Sequence, residues 1–232
     1  MLTHKPFSEI SGGDLGWLTA KHHFALGPYG NPKHLPLGQL YVLNDDRIAG
    51  HSGFPFHGHT DVEIVSYVRS GTLTHEDGLG NKGHLHAGDV QVMSAGTGIR
   101  HAEYNEGDDP IHLFQIWLHP RKAGVEPRWD TRSFPQSNRL GRFVPLASGY
   151  QSPGALEIYA DAGVHGAVLQ AGASTKFEFR AGHSGYIVPV SGTIIVNRHR
   201  IEDGDGLIIR GEASISVDAK TDAEVLLIET AE

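Results

Sequence analysis

Apolar residues along this chain either alternate with polar ones or fall into short β-branched runs bounded by turn residues. Val90-Gln91-Val92-Met93 and Ile111-His112-Leu113-Phe114-Gln115-Ile116-Trp117-Leu118 alternate. Ile64-Val65-Ser66-Tyr67-Val68, Tyr186-Ile187-Val188-Pro189-Val190, Thr193-Ile194-Ile195-Val196, Leu207-Ile208-Ile209 and Val225-Leu226-Leu227-Ile228 are compact runs. Many short strands with Gly-rich punctuation predict an all-β sandwich or barrel. No amphipathic helix longer than about two turns is expected; Ser133 to Leu140 has room for a short one.

The pattern is written twice. Ser70-Gly71-Thr72-Leu73 recurs as Ser191-Gly192-Thr193-Ile194, and Ala87-Gly88-Asp89-Val90 as Asp203-Gly204-Asp205-Gly206. The offsets are 121 and 116 residues, and the difference falls in the Gly- and Asp-rich loop Glu76 to Gly83. A repeat near half the chain length predicts two β-domains of one architecture. The aperiodic segment Pro120 to Pro135 separates them, giving expected domains 1–125 and 126–232.

Composition supports this reading and closes several others. For 232 residues, area scaling buries about 70% of the unfolded surface, enough for a real core. Nineteen Lys and Arg against 27 Asp and Glu give a net charge of −8, so direct nucleic-acid binding is not expected. There is no Cys, which excludes disulfides, thiolate zinc sites and Cys nucleophiles. The first residues hold no apolar run of signal-peptide length and the chain no run of about 18 apolar residues, so the expectation is a cytoplasmic protein that does not enter a membrane. There is no Gly-x-Ser-x-Gly elbow, and Gly96-Thr97-Gly98 lacks the Lys of a phosphate loop.

The outlier is His, with 16 copies, nine of them between His51 and His119. In the run from His57 to Glu63, continued strand alternation puts His57, His59, Asp61 and Glu63 on one face. Downstream, His101, Glu103 and Asn105 share a face in the same way. Neighbouring strands would then gather three imidazoles and one carboxylate. That donor set suits Fe, Mn, Ni, Cu, Co or Zn and disfavours Ca and Mg. Four protein ligands on a six-coordinate ion leave two positions for catalysis. Exposed strand histidines are the plain alternative, but burying so many polar groups unligated is costly.

Other residues carry weaker signals. His75, His84 and His86 flank the Glu76 to Gly83 loop and are expected to face solvent. His22 and His23 either border the pocket or pack the N-terminal segment. Trp17, Phe24, Phe114 and Trp117 either line a pocket for an aromatic substrate or fill the core. The Gly96 to Gly98 turn is expected to aim His101.

His57-x-His59-x3-Glu63, seven residues, then Gly71 resembles the first cupin motif; Gly88-x5-Ser94-x-Gly96-x4-His101-x3-Asn105 resembles the second. The run Gly88-Asp89-Val90-Gln91-x-Met93-Ser94-Ala95-Gly96-Thr97-Gly98-Ile99, followed by His101-Ala102-Glu103, more specifically resembles the pirin family, as do Gly16-Trp17-Leu18 and His23-Phe24. The resemblance is strongest from Leu43 to Trp117 and weak after Pro120. It implies a bicupin fold, two face-to-face β-barrels of the double-stranded β-helix or jelly-roll type, with one metal in the first. It also implies His57, His59, His101 and Glu103 as ligands, with iron(II) as the expected ion. In many other cupins the first motif's Glu ligates, here Glu63, which in the pirin pattern touches a ligand or stands away from the ion. Carried to the second copy, the ligand positions fall on Glu178, Arg180, Val217 and Ala219, so that domain is expected to bind no metal.

Similarity to bacterial pirin-like proteins further implies quercetin 2,3-dioxygenase activity, with a small aromatic substrate and O2. A flavonol would lose its 3-hydroxyl proton, with Glu103 as base, and O2 would open the central ring with release of carbon monoxide. The alternative implied by the same family is a non-enzymatic, metal- or redox-dependent regulator acting through a protein partner.

Overall fold

A computed structural model describes residues 1–232, arranged as four antiparallel-rich sheets and almost no helix. Each half of the chain builds one seven-stranded and one four-stranded sheet. The first small sheet orders Ser52–His59, Ile99–Asn105, Thr72–Asp77 and Lys82–His86; the second orders Ser174–Glu178, Ser214–Ala219, Ile194–Val196 and His199–Ile201. The repeat read from the sequence is thus an architectural repeat, and Gly71 and Gly192 both turn with φ of 81°. In neither half do the two sheets join into the closed barrel that was expected. In the first half they separate at Thr60 to Val62, where Asp61 has φ of 49° and strand hydrogen bonding stops. The short helix expected over Ser133 to Leu140 is a 3-10 turn, Gln136–Arg139, because Arg128–Ser133 is drawn into a sheet.

That last strand pairs with Asp89–Ser94 of the first half, while Leu2–Lys5 pairs with Gly206–Ile209 of the second. The Pro120 to Pro135 segment is therefore itself part of the first half's sheet, and the N-terminal strand crosses it to join the second half's. The surface area fits this intimacy. The molecule exposes 10152 Å², whereas two separate halves would expose roughly 12,000 Å² by size scaling.

The central strands are buried on both faces, which explains their near-continuous apolar runs. In Glu63–Ser70, Val65 and Tyr67 face the other half, and Ile64 and Val68 face inward. Ile111–Leu118 does likewise with Phe114, Ile116 and Leu118 outward and Leu113 inward. The largest core, 25 residues, thus lies between the two large sheets and draws on both halves. The second half has a single interior cluster of 14 residues, but the first half's interior is split into clusters of six and five. What splits it is polar.

Candidate metal centre

The polar centre is built from two adjacent strands of the small sheet. His57 and His59 point inward from Ser52–His59, and His101 and Glu103 from Ile99–Asn105. Antiparallel register sets His101 opposite His57, then a bulge sets Glu103 opposite Phe54. The turn before His101 fixes that register. Gly96 has φ of 45°, and a Cβ there would meet the Val125 carbonyl oxygen at 2.0 Å. Thr97 N–H donates to that carbonyl and Asp61 N–H to the Gly96 carbonyl, so the turn is tied on both sides.

The three imidazoles converge. Ring centroids are 4.6 Å apart for His57 and His101, 4.7 Å for His57 and His59, and 5.1 Å for His59 and His101. One ring nitrogen from each lies within 4.8 Å of the others. His57 Nδ1–H donates to the Pro55 carbonyl, which turns its Nε2 lone pair toward the group. His59 Nε2 and both nitrogens of His101 are buried without any hydrogen-bond partner. Burial and the neighbouring histidines lower His101 to about 3 and His59 to about 4, so both rings are neutral near pH 7. Neutral, unpartnered imidazoles within reach of one point fit a borderline divalent ion.

Glu103 is buried beside them, gripped by the side-chain amides of Gln91 and Gln115, with Ser66 Oγ at 3.4 Å. Burial raises it to about 7 against the pull of these donors. Its carboxylate forms a second close group with His101 and His75.

His75 corrects a sequence expectation. It is fully buried rather than solvent-facing, because the inward face of Thr72–Asp77 carries Leu73, His75 and Asp77. Its ring stacks on Trp129 at 4.9 Å and 8°, and its Nε2 lies 3.3 Å from Asp77. His84 and His86 of the same hairpin are exposed as expected.

Glu63 also differs. Because the chain turns at Thr60 to Val62, strand alternation does not carry through, and Glu63 faces the other half. There it accepts from Ser94 Oγ at 2.8 Å and from Tyr159 N–H at 2.9 Å. Asn105 is structural, with Nδ2 donating to the Ile48, Ala49 and Asp109 carbonyls. His23 is buried between the halves on Tyr186 Oη, and Phe24 and Phe114 belong to that same core. Trp17 packs edge-on against Phe54.

The cluster opens into a cavity of about 270 Å³, at the small end for ligand pockets. Phe54, Ile64 and Trp117 form its apolar side; Asn44, Asp46 and Gln115 form a polar one. Trp117 meets His59 edge-on at 5.1 Å. Asp46 is pushed well above the usual carboxylate range by burial and by Asp45 and Glu103. Sequence reasoning missed Asp46, Ser66, Gln91 and Gln115; a polar residue inside an apolar run was the signal for the last three, whereas Asp46 is hidden in the polar stretch Asn44 to Arg47.

The second half repeats this strand pair with different side chains. In the pair Ser174–Glu178 and Ser214–Ala219, Phe177 stands opposite Ile215, and both are buried among apolar neighbours. Packing has replaced the polar centre there.

Comparisons with known proteins agree with the geometry. The Pirin family model matches residues 4–118, and the quercetinase C-terminal cupin domain model matches residues 145–230. A pirin-like protein of Caulobacter vibrioides is 49% identical over 232 residues, all of both chains. A quercetin 2,3-dioxygenase of Escherichia coli K12 is 37% identical over 230 residues, covering 99% of this chain and 98% of that one. Among solved structures, the bacterial pirin YhhW of Escherichia coli in complex with nickel(II) superposes with a TM-score of 0.93 at 34% identity, covering 100% and 99% of the two chains.

Proposed function

Because this chain belongs to the pirin family, with a cupin-type domain in each half, we propose that it is a metal-dependent dioxygenase that opens the central ring of a flavonol such as quercetin. The ion is held by His57, His59, His101 and Glu103, with iron(II) as the proposed native metal; the same donors accept Mn, Co, Ni, Cu and Zn. The observation that carries the reading is the set of orphaned ring nitrogens on His59 and His101. Each unpaired buried polar atom costs about 1–3 kcal/mol, and a bound ion removes that cost. The E. coli relatives, one named for quercetin cleavage and one holding nickel(II), point the same way.

When bound, the ion supplies positive charge that favours the deprotonated 3-hydroxyl and a coordination position for O2. The protein does the rest. Phe54, Ile64 and Trp117 hold the aromatic plate and keep water from the reacting edge. Glu103 takes the hydroxyl proton on a carboxylate oxygen that the ion does not hold. Gln91 and Gln115 keep that carboxylate pointed into the cavity before and after the transfer.

The test is oxygen uptake on adding quercetin to protein reconstituted anaerobically with iron(II) or manganese(II), with His101→Ala as control. Uptake that vanishes in the variant is expected. Absence of uptake in wild-type protein shown to hold metal would overturn the reading and favour a metal-dependent regulator acting through a protein partner.

A further inference from the structure

The cavity has a polar wall that the ligand set does not use. Leu40–Ile48 and Ile111–Leu118 are paired antiparallel with Gln115 opposite Asn44 and Leu113 opposite Asp46. Alternation turns Asn44, Asp46 and Gln115 inward together, facing the apolar side formed by Phe54, Ile64 and Trp117. Asn44 is occupied: its Oδ1 lies 2.9 Å from His22 Nδ1. Asp46 and Gln115 are not. Asp46 is 2% exposed and Gln115 6%. The Gln115 amide nitrogen is committed to Glu103, which turns its Oε1 away from that carboxylate. Both Gln115 Oε1 and Asp46 Oδ1 are buried without a donor.

Gln115 Oε1 only accepts, whereas burial favours the protonated form of Asp46, which offers an unpartnered oxygen and an O–H. A ligand carboxylate would bring no proton to Gln115 Oε1 and would meet Glu103 beyond it, but a hydroxyl both donates and accepts. A ligand hydroxyl would satisfy an acceptor and restore the hydrogen bond lost on burial. We propose that Asp46 and Gln115 are specificity-determining residues that read free hydroxyl groups on an aromatic ring seated against Trp117, and reject the same ring once those hydroxyls are methylated. This rests on the reading that the cavity takes an aromatic substrate, and it extends that reading to a wall that never touches the ion. Sites built to hydrogen-bond a substrate hydroxyl discriminate strongly, because the analogue leaves their buried groups unpaired.

The experiment is anaerobic titration of the metal-loaded protein with quercetin and with its fully O-methylated ether, followed by tryptophan fluorescence. Without O2 nothing turns over. Asp46→Ala is expected to weaken quercetin binding about tenfold, the worth of one hydrogen bond of about 1.4 kcal/mol. It is expected to leave the ether and the metal content unchanged. Asp46→Asn, which keeps an acceptor oxygen, is expected to retain most of the affinity. Equal losses for both ligands, no loss, or wild-type protein that binds neither would overturn the proposal. Failure of the dioxygenase reading is separate: discrimination through Asp46 without oxygen uptake keeps this inference and removes that one. Uptake with Asp46→Ala indistinguishable from wild type does the reverse.

Discussion

Trp129 sets the orientation of Gln91. The indole Nε1–H can only donate, and it donates to Gln91 Oε1 at 2.9 Å. That leaves the Gln91 amide nitrogen to face Glu103 and Ser66. Trp129 also stacks on His75, so one side chain from the strand Arg128–Ser133 braces the centre at two points.

Trp129→Phe keeps most of the stack and removes the donor. Gln91 is then free to turn its amide, and Glu103 loses a fixed partner. Partners of metal ligands are typically worth 10–100-fold in affinity. We expect metal affinity to fall by about tenfold, measured by chelator competition, with the fold intact by circular dichroism. His75→Leu, which also removes the buried ring beside His101, should cost at least as much.

The proposed ligand Glu103 and the carboxylate of Glu63 should separate by mutation. His57→Ala or His101→Ala should abolish most bound metal in elemental analysis. Glu63→Ala should leave the metal in place but strip Tyr159 N–H and Ser94 Oγ of their partner between the halves. We expect a stability loss of about 1–3 kcal/mol by denaturant melting. Metal loss in Glu63→Ala but not in Glu103→Ala would reverse the assignment.

Acid should loosen the metal-free protein through the same histidines. His101 titrates near 3 in the folded chain, against an ordinary value of 6.5. Between those values the unfolded chain holds a proton that the folded one does not, so stability falls as pH drops below 6.5. A fully shifted group contributes about 1.4 kcal/mol per pH unit. Melting curves of metal-free protein at pH 7 and 5 should diverge, and less so in His101→Gln.

Lys5 gives a second window, on the alkaline side and with the same sign. Burial and the Arg210 charge lower it from 10.5 to about 7, with its ammonium 4.2 Å above the Phe24 ring and 3.1 Å from the His23 carbonyl. From pH 7 to 10.5 the unfolded state binds the extra proton, so stability rises with pH across that range. Lys5→Met should remove that rise. Thermal melts at pH 6.5 and 9 should show the wild type gaining on the variant.

Much of the site was legible because a strand alternates. His57 and His59, and His101 and Glu103, need only the two-residue period and adjacent strands, and the structure supplies both. The period misleads where the strand ends. Glu63 reads as continuing the His57 face, but the left-handed Asp61 starts a new strand in a different sheet. His75 was hidden for another reason: what buries it is Trp129, 54 residues away in sequence and inside the Pro120 to Pro135 segment. Gln91, Gln115 and Ser66 were visible as polar breaks in apolar runs, but alternation alone does not say which face a doubly buried strand turns to a cavity. The all-β class and the repeat followed from pattern. The open edges between large and small sheets did not, since closure depends on register at corners such as Thr60 to Val62.

The crossed strands bear on how the protein is made. Leu2–Lys5 leaves the ribosome long before its partner Gly206–Ile209, which is encoded about 200 residues later, a wait of roughly 10–40 s at ordinary elongation rates. Until Arg128–Ser133 is made, the first half can assemble its histidine cluster only without that strand. A gene divided between Pro120 and Pro127 would therefore encode two fragments, each carrying the other's edge strand.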